Sequence, residues 1–407
     1  MHKVPILLIP LEKATKNLKV FDVLKENNIL IDIDKVEQYL EVFNKLSSSR
    51  PNPNYWNDKR VLITGISGFV GSHFADKSLA LEAQVYGFVR RHAVAIHDNI
   101  QHAYRKVTLF EGDLTEQRRV EEVIREYSPH VICHYASESF VPTSITEPSR
   151  VMFNNSCSTI NVLDATRKHD GDIEAILVAC SSEQYGNIES LDELPIKESN
   201  PFRPCSVYAV SKVCTEYLAK IYNLNYGLPT VITRSFNTEG PRRGLQFFTS
   251  FVASQIAKCV RGEEDKIIMG NPNSARDFTH VYDVVNAHML AVEKAKRSEP
   301  YNVCSGIGVR SADYIKLAMR IYRLDRRAKV YVDTERFRPY EQGKALLDGF
   351  IGDYTKLNSA TGWSPTLSVV DIIKDGVEYF KCNTRYLHVQ ATDAQVPSAV
   401  SARAHAT

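Results

Sequence analysis

The chain has 407 residues, 43% of them apolar and 24% charged, with 50 lysines and arginines against 48 aspartates and glutamates. That length can bury a large core in one α/β unit of two lobes, and a net charge of +2 gives no reason to expect a nucleic-acid partner. No apolar run approaches the length of a membrane span, and the stretch 4–10 is short and carries two prolines, so neither a membrane anchor nor a signal peptide is expected.

Residues 1–56 form an extension ahead of the first strong strand signal. Within 20–46, Phe21, Leu24, Ile29, Ile31, Ile33, Val36, Leu40 and Phe43 predict one or two short helices broken around Asn27 and Asn28. The turn-rich SSSRPNPN, 47–54, then reads as a linker. The apolar face of the extension must pack either on its own chain or on a partner subunit.

Val61, Leu62 and Ile63 predict a strand, TGISGFVG at 64–71 a tight turn, and 73–83 a helix with Phe74, Leu79 and Leu81 on its buried side. In such a unit glycines let the backbone approach a pyrophosphate, and the helix N-terminus offers N–H groups and partial positive charge. Gly65, Gly68, Phe69, Val70 and Gly71 are therefore candidate cofactor contacts. The glycine spacing is wider at the front than G-x-G-x-x-G, and a purely structural turn is the competing explanation.

The next strand, 85–89, ends in Arg90 and Arg91, where an acid would select NAD by holding a ribose 2′-hydroxyl. Two guanidinium groups suit a 2′-phosphate instead, favouring NADP with NAD as the alternative cofactor; a solvated basic strand end is the bland reading. A third strand, 107–110, runs into Asp113 and Leu114, the acid placed to reach an adenine amino group. The buried strand 131–135 follows, and Tyr135, Ala136 and Ser137 at its end complete the candidate cofactor set.

Helix 154–167, strand 175–179, helix 207–222 and strand 229–234 continue the alternation expected of right-handed crossovers in a parallel sheet. The expected fold is thus α/β: a Rossmann-type doubly wound sheet over 57–236, to which about 278–308 returns. A smaller C-terminal α/β substrate lobe is expected over 237–386, built from segments such as 247–260 and 311–320. The tail 387–407 is rich in Ala, Ser and Val without periodicity and is expected to be disordered. Eight scattered cysteines without a C-x-x-C pair read as reduced thiols of a cytoplasmic protein, and no metal site is expected.

Tyr208 and Lys212 lie four apart in the predicted helix 207–222, so they share a face. A buried ammonium near a phenol favours phenolate, making Tyr208 a candidate general base, or acid in reverse. The preceding strand ends ACSSEQYG, 179–186, where a doubly wound sheet binds ligands. Ser181 and Ser182 project hydroxyls there, and Glu183 could remove a proton next to a ketone or merely cap a turn.

These segments, with GFVRRH, GDLTE, YAVSK, SFNTEGPRRG, ARDFTHVYDVV, YNVCSGIGVRS, RFRP and TGWSP in this order, resemble the extended short-chain dehydrogenases/reductases that act on nucleotide sugars. The resemblance covers roughly 59–380 and is greatest to the GDP-mannose 4,6-dehydratases and the GDP-4-keto-6-deoxymannose reductases. It implies catalysis by Ser181, Glu183, Tyr208 and Lys212, and a nucleoside-diphosphate sugar, GDP-linked, as substrate. Ser182, Asn237, Arg242 and Arg243 are expected beside substrate, with Arg276 and Arg338 clamping the diphosphate, a task bidentate guanidinium groups suit. Arg90, Arg91 and PRRG lean to the dehydratase, whereas FFTSFVASQIAKCV lacks the basic pair dehydratases carry and leans to the reductase. The expected activity is 4,6-dehydration of GDP-mannose. A C4 reductase, a 4-epimerase and a silent NADP-binding scaffold are the alternatives. The resemblance also implies a homodimer or homotetramer through segments 154–167 and 207–222.

Overall fold

Runs such as Val61–Leu62–Ile63 and Ile176–Leu177–Val178 carry no in-and-out alternation, because the strands they form are covered on both faces. In the computed structural model, which describes residues 8–14, 19–90, 98–337 and 349–383, seven such strands make one parallel sheet. Arg91, Arg338 and the tail 387–407 lie outside the described residues. Across the sheet the order is Pro300–Val303, Thr230–Ser235, Ala175–Ser181, Val131–His134, Arg60–Thr64, Gln84–Val89, Val107–Glu111. The winding reverses between Arg60–Thr64 and Val131–His134, which opens a crevice beyond their C-terminal ends.

Alternate residues serve two cores. Ile63, Val131, Cys133 and Leu177 pack on one face with Phe74, Trp56, Trp363 and the helix Val281–Lys294. Leu62, Ile132, Ile176 and Ile232 pack on the other with Phe110, Ile124 and Val162. The helix expected over 154–167 starts earlier, at Pro148, whose ring suits the first turn; the one expected over 207–222 runs to Tyr226 and stops at Gly227, φ 70°.

After residue 236 the chain builds a second lobe. Its central strand, Ala275–His280, pairs in parallel with Asn237–Glu239 and Gly349–Phe350 and antiparallel with Gly308–Arg310. Helices Phe248–Arg261, Ser311–Ile321 and Val369–Cys382 share its core. The extension turns its apolar face onto its own chain. Leu8–Pro10 adds an antiparallel strand to Lys329–Asp333, and helices Lys19–Glu26 and Val36–Phe43 flank a bend where Asn28 has φ 57°. No helix among the described residues is long and apolar enough to cross a membrane.

Candidate active site

The turn after Arg60–Thr64 is shaped by what a side chain would strike. Gly65 has φ 70°, and a Cβ there would lie 2.9 Å from the Ala136 amide nitrogen; one on Gly71 would lie 2.3 Å from the Gly65 carbonyl oxygen. Gly68 caps the helix Phe69–Ala80 with no side-chain hydrogen bond and is exposed, so no side chain competes for the first N–H groups of that helix. An uncapped 12-residue helix, a glycine turn and a switch-point crevice together fit a dinucleotide pyrophosphate. Phe69 and Val70 open that helix and are half-buried.

Behind the turn, the Ala136 N–H donates to the Thr64 hydroxyl (3.2 Å), which meets His134 Nδ1 at 2.9 Å. His134 Nε2 lies 3.2 Å from Thr159, and burial pushes its pKa down to about 3, so the ring is a neutral spacer. The Tyr135 hydroxyl reaches His288 Nδ1 at 2.9 Å and the Leu114 side chain is buried in the core, so both turn their side chains into packing. Ser137 is half-buried beside Glu138. At the end of Gln84–Val89, Arg90 is exposed and stands 3.9 Å from Glu138, which Arg150 and Asn154 also hold at 2.7 Å each. Asp113 uses one carboxylate oxygen to accept from the Thr115 N–H and hydroxyl.

Helix Val207–Tyr226 begins where the Ser206 hydroxyl accepts the Ala209 N–H, which puts Tyr208 in its first turn. Tyr208, Lys212 and Glu216 then fall on one face at successive i+4 steps, all buried. Lys212 Nζ donates to the Ala179 carbonyl at 2.7 Å and sits 6.0 Å from the centre of the Tyr208 ring. Burial raises the Tyr208 phenol pKa above its ordinary value; the Ser181 hydroxyl lowers it as a hydrogen-bonding neighbour, the Glu183 charge adds to the rise and the Arg243 charge opposes it. Burial pulls the Lys212 ammonium below its ordinary value.

Ser181 also fixes the turn that carries Glu183. Its hydroxyl accepts the Glu183 N–H at 3.2 Å, while its own N–H donates to Gln184 Oε1 at 3.0 Å, a reciprocal capping box. Gln184 donates from Nε2 to Glu216 at 2.9 Å. Arg234 grips Glu216 through Nη2 and Nε, and its Nη1 reaches the Tyr185 hydroxyl at 2.7 Å, which donates to Asn302 at the same distance. Burial opposes the Glu216 charge, but Arg234 and Lys220 hold its carboxyl below the ordinary value. Sequence reasoning missed Gln184, Glu216 and Arg234. Glu216 was visible as the next i+4 step after Lys212; its partners were not, because they arrive from other elements.

Of the residues expected beside substrate, Ser182 is buried at the strand end and Asn237 opens a strand paired with Phe278. Arg242, at φ 70°, is tied to the glycine helix by Asp76 (2.7 Å) and Ser72 (3.4 Å). Arg243 lies between the lobes, 2.9 Å from Glu239 and stacked on Phe247 (4.0 Å) and Phe69 (5.4 Å). Arg276 is buried, donates to its neighbour's carbonyl at 2.9 Å and lies 5.1 Å from the Phe350 ring. The structure thus gathers Ser181, Ser182, Glu183, Tyr208, Lys212 and Arg243 around one strand end, and sets Arg242 against the helix Phe69–Ala80.

A parallel sheet with an uncapped glycine turn at its switch point, and a serine, a tyrosine and a lysine converging beside it, define an extended short-chain dehydrogenase/reductase. Within that class the chain belongs to the family described as GDP-mannose 4,6 dehydratase, whose family model matches residues 62–376. Curated relatives include a GDP-mannose 4,6-dehydratase of Yersinia enterocolitica, 27% identical over 78% of this chain and 93% of its own length. A GDP-6-deoxy-D-mannose reductase of Pseudomonas aeruginosa is 28% identical over 76% of this chain and 93% of its length. Among solved structures, RMD from Pseudomonas aeruginosa complexed with NADPH superposes with a TM-score of 0.67 at 25% identity, over 80% of this chain and 99% of that one. The UDP-glucose 4-epimerase of Thermotoga maritima gives 0.68 at 26% identity, with the same coverage.

Proposed function

We propose that this protein is an NADP-dependent nucleotide-sugar 4,6-dehydratase that converts GDP-mannose to GDP-4-keto-6-deoxymannose. The observation that carries the reading is the placement of a second acid–base group, Glu183, on the turn capped by the Ser181 hydroxyl, near enough for its charge to act on the Tyr208 phenol. Oxidation and reduction need one such group; elimination from a ketone needs two.

Tyr208 accepts the proton of the sugar C4 hydroxyl, and Ser181 holds the oxygen as it becomes a carbonyl. Arg243, whose charge lowers the phenol pKa, and Lys212, 6.0 Å from the centre of the Tyr208 ring, supply the positive potential that makes a buried phenolate tolerable. Bound NADP would supply the hydride acceptor for C4 and the donor for C6, so the cofactor would undergo no net change. Glu183 removes the C5 proton, acidified by the new ketone, and passes it to the C6 hydroxyl, which leaves as water. A solvent proton then adds at C5 as hydride returns to C6, and Tyr208 releases to solvent the proton it took from the C4 hydroxyl. The glycine turn and the N-terminus of Phe69–Ala80 hold the pyrophosphate, and Arg90 lies where a 2′-phosphate is recognised.

Incubation with GDP-mannose and a catalytic amount of NADP+ tests this. Loss of one water from the sugar nucleotide without net NADPH formation is the expected result. Absence of that product, with NADPH-dependent reduction of a 4-keto-6-deoxy sugar nucleotide, would replace the reading by a C4 reductase. The sequence of Phe248–Arg261, which lacks the expected basic pair, favours that second reading.

The paired helices Pro148–Arg167 and Val207–Tyr226 leave Phe153 (61% exposed), Val210, Tyr217, Ile221 and Leu224 (82% exposed) outward. The last four recur at helical spacing. An apolar stripe on a paired-helix surface supports a homodimer closed as a four-helix contact.

A further inference from the structure

Three residues expected on the substrate side, Glu183, Asn237 and Arg276, each lie within two positions of a member of one small apolar cluster. Tyr185 follows Glu183 by two positions, Phe236 precedes Asn237, and Ala275 precedes Arg276, whose guanidinium also lies against Phe350 of the same cluster. The extension completes that cluster with Phe21, Leu24 and Leu30, none more than 3% exposed. Its backbone joins in. The Ile31 N–H donates to the Gly308 carbonyl at 2.9 Å and the Gly308 N–H to the Ile29 carbonyl at 2.8 Å, so the extension flanks Gly308–Arg310, the strand that pairs with Ala275–Asp277. Phe21 lies 4.4 Å from the Arg310 guanidinium, and a Cβ on Gly308 would meet Leu30 at 3.1 Å. The glycine turn, Arg90 and Asp113 contribute nothing to this cluster. The family match begins at residue 62, beyond the whole segment.

We propose that the extension is a built-in wall of the nucleotide-sugar half of the site, with Phe21 and Leu24 as positioning residues. They fix Tyr185, Phe236 and Phe350, and through them the turn bearing Glu183 and the strand bearing Arg276. A cavity opened behind these residues lets them relax toward it, whereas the cofactor half is held by the separate core of the parallel sheet. The consequence is selective: loosening the extension weakens the nucleotide of the substrate and spares the dinucleotide. This inference rests on the nucleotide-sugar reading above.

The test is calorimetry on the full-length protein, wild type, Leu24→Ala and Phe21→Leu, titrated separately with GDP and with NADPH. GDP affinity should fall by about tenfold or more in Leu24→Ala, and less in Phe21→Leu, with NADPH affinity held within about twofold. Leu24→Met, which refills the volume, should restore GDP binding. Unchanged GDP affinity, or equal loss of both ligands, overturns the inference. Phe21→Leu keeps the cluster apolar, so its titrations decide the matter if Leu24→Ala does not fold. UDP and dTDP serve as parallel probes. A wild type that takes UDP in place of GDP refutes the GDP assignment alone, and the wild-type to variant ratio for UDP then judges the extension. A wild type that binds none of the three overturns both.

Discussion

Arg234 sets two guanidinium nitrogens on the two oxygens of Glu216, Nη2 at 2.6 Å and Nε at 2.8 Å, with both side chains buried. The pair stands directly behind the turn Ser181–Gln184, because the oxygen of Glu216 that accepts Nε also accepts the Gln184 amide, whose own oxygen holds the Ser181 backbone. Removing Arg234 leaves the buried Glu216 carboxylate with Lys220 (2.6 Å) and Gln184 alone, at a cost toward the lower end of the range of about 3–5 kcal/mol for breaking a buried pair. Arg234→Met should therefore lower the urea unfolding free energy by that amount. Arg234→Lys keeps the charge but loses the fork and should fall between the two.

Tyr208→Phe keeps the ring and its packing while removing the proton acceptor. Turnover should drop by about 10²–10⁴-fold with the dissociation constant for NADPH little changed, measured by steady-state kinetics and fluorescence titration. Because burial raises the phenol pKa, the sign of the pH dependence is diagnostic. Dehydration begins with Tyr208 as base, so its rate should climb with pH through the neutral range. Reduction uses the protonated phenol, and its rate should stay flat there.

Glu183→Gln separates the two halves of the proposed reaction. Oxidation at C4 needs Ser181, Tyr208 and Lys212 and should survive, whereas removal of the C5 proton should not. Run in deuterated water, the wild type should give product labelled at C5. The variant should lose water elimination and C5 labelling together, by about 10²-fold or more. Retention of both would return Glu183 to a turn-capping role.

Much of the fold was readable because the strands are short, continuous apolar runs, and a sheet covered on both faces needs nothing else. The glycine turn was readable for a related reason: at Gly65 and Gly71 a side chain would collide with backbone, so the residue choice itself records the geometry. Helix ends were less so. Pro148 opens its helix six residues before the apolar pattern becomes clear. In the site, Tyr208 and Lys212 could be paired from helical period alone. Arg242 and Arg243 could not be told apart in sequence, yet a positive φ at Arg242 turns one toward Asp76 while the other meets Glu239. Gln184 and Arg234 were invisible because their roles depend on which distant elements the fold brings behind the turn.

Three buried histidines make stability depend on acidity in a defined direction. Burial pushes His134 and His288 from 6.5 down to about 3, and His73 to about 4, while each accepts or donates within the core. Above the unfolded value both states are neutral and the contribution is complete. As pH falls below 6.5 the unfolded chain takes protons that the folded protein refuses, which costs up to about 1.4 kcal/mol per unit for each ring until the folded pKa is reached. Asp277 works the other way. Burial raises it from 3.8 to about 6, against hydrogen bonds from Ser305, Gly352 and Gly306, so the folded state gains a proton first and recovers part of the loss. The net expectation is an unfolding free energy lower by about 4–5 kcal/mol at pH 5 than at pH 7, read by urea denaturation at each pH. His134→Asn, which keeps a hydrogen-bonding side chain beside Thr64 but does not titrate, should flatten that slope by roughly one proton's share. An unchanged slope would mean that the imidazole at position 134 is protonated in the folded protein, contrary to its placement between two threonine hydroxyls.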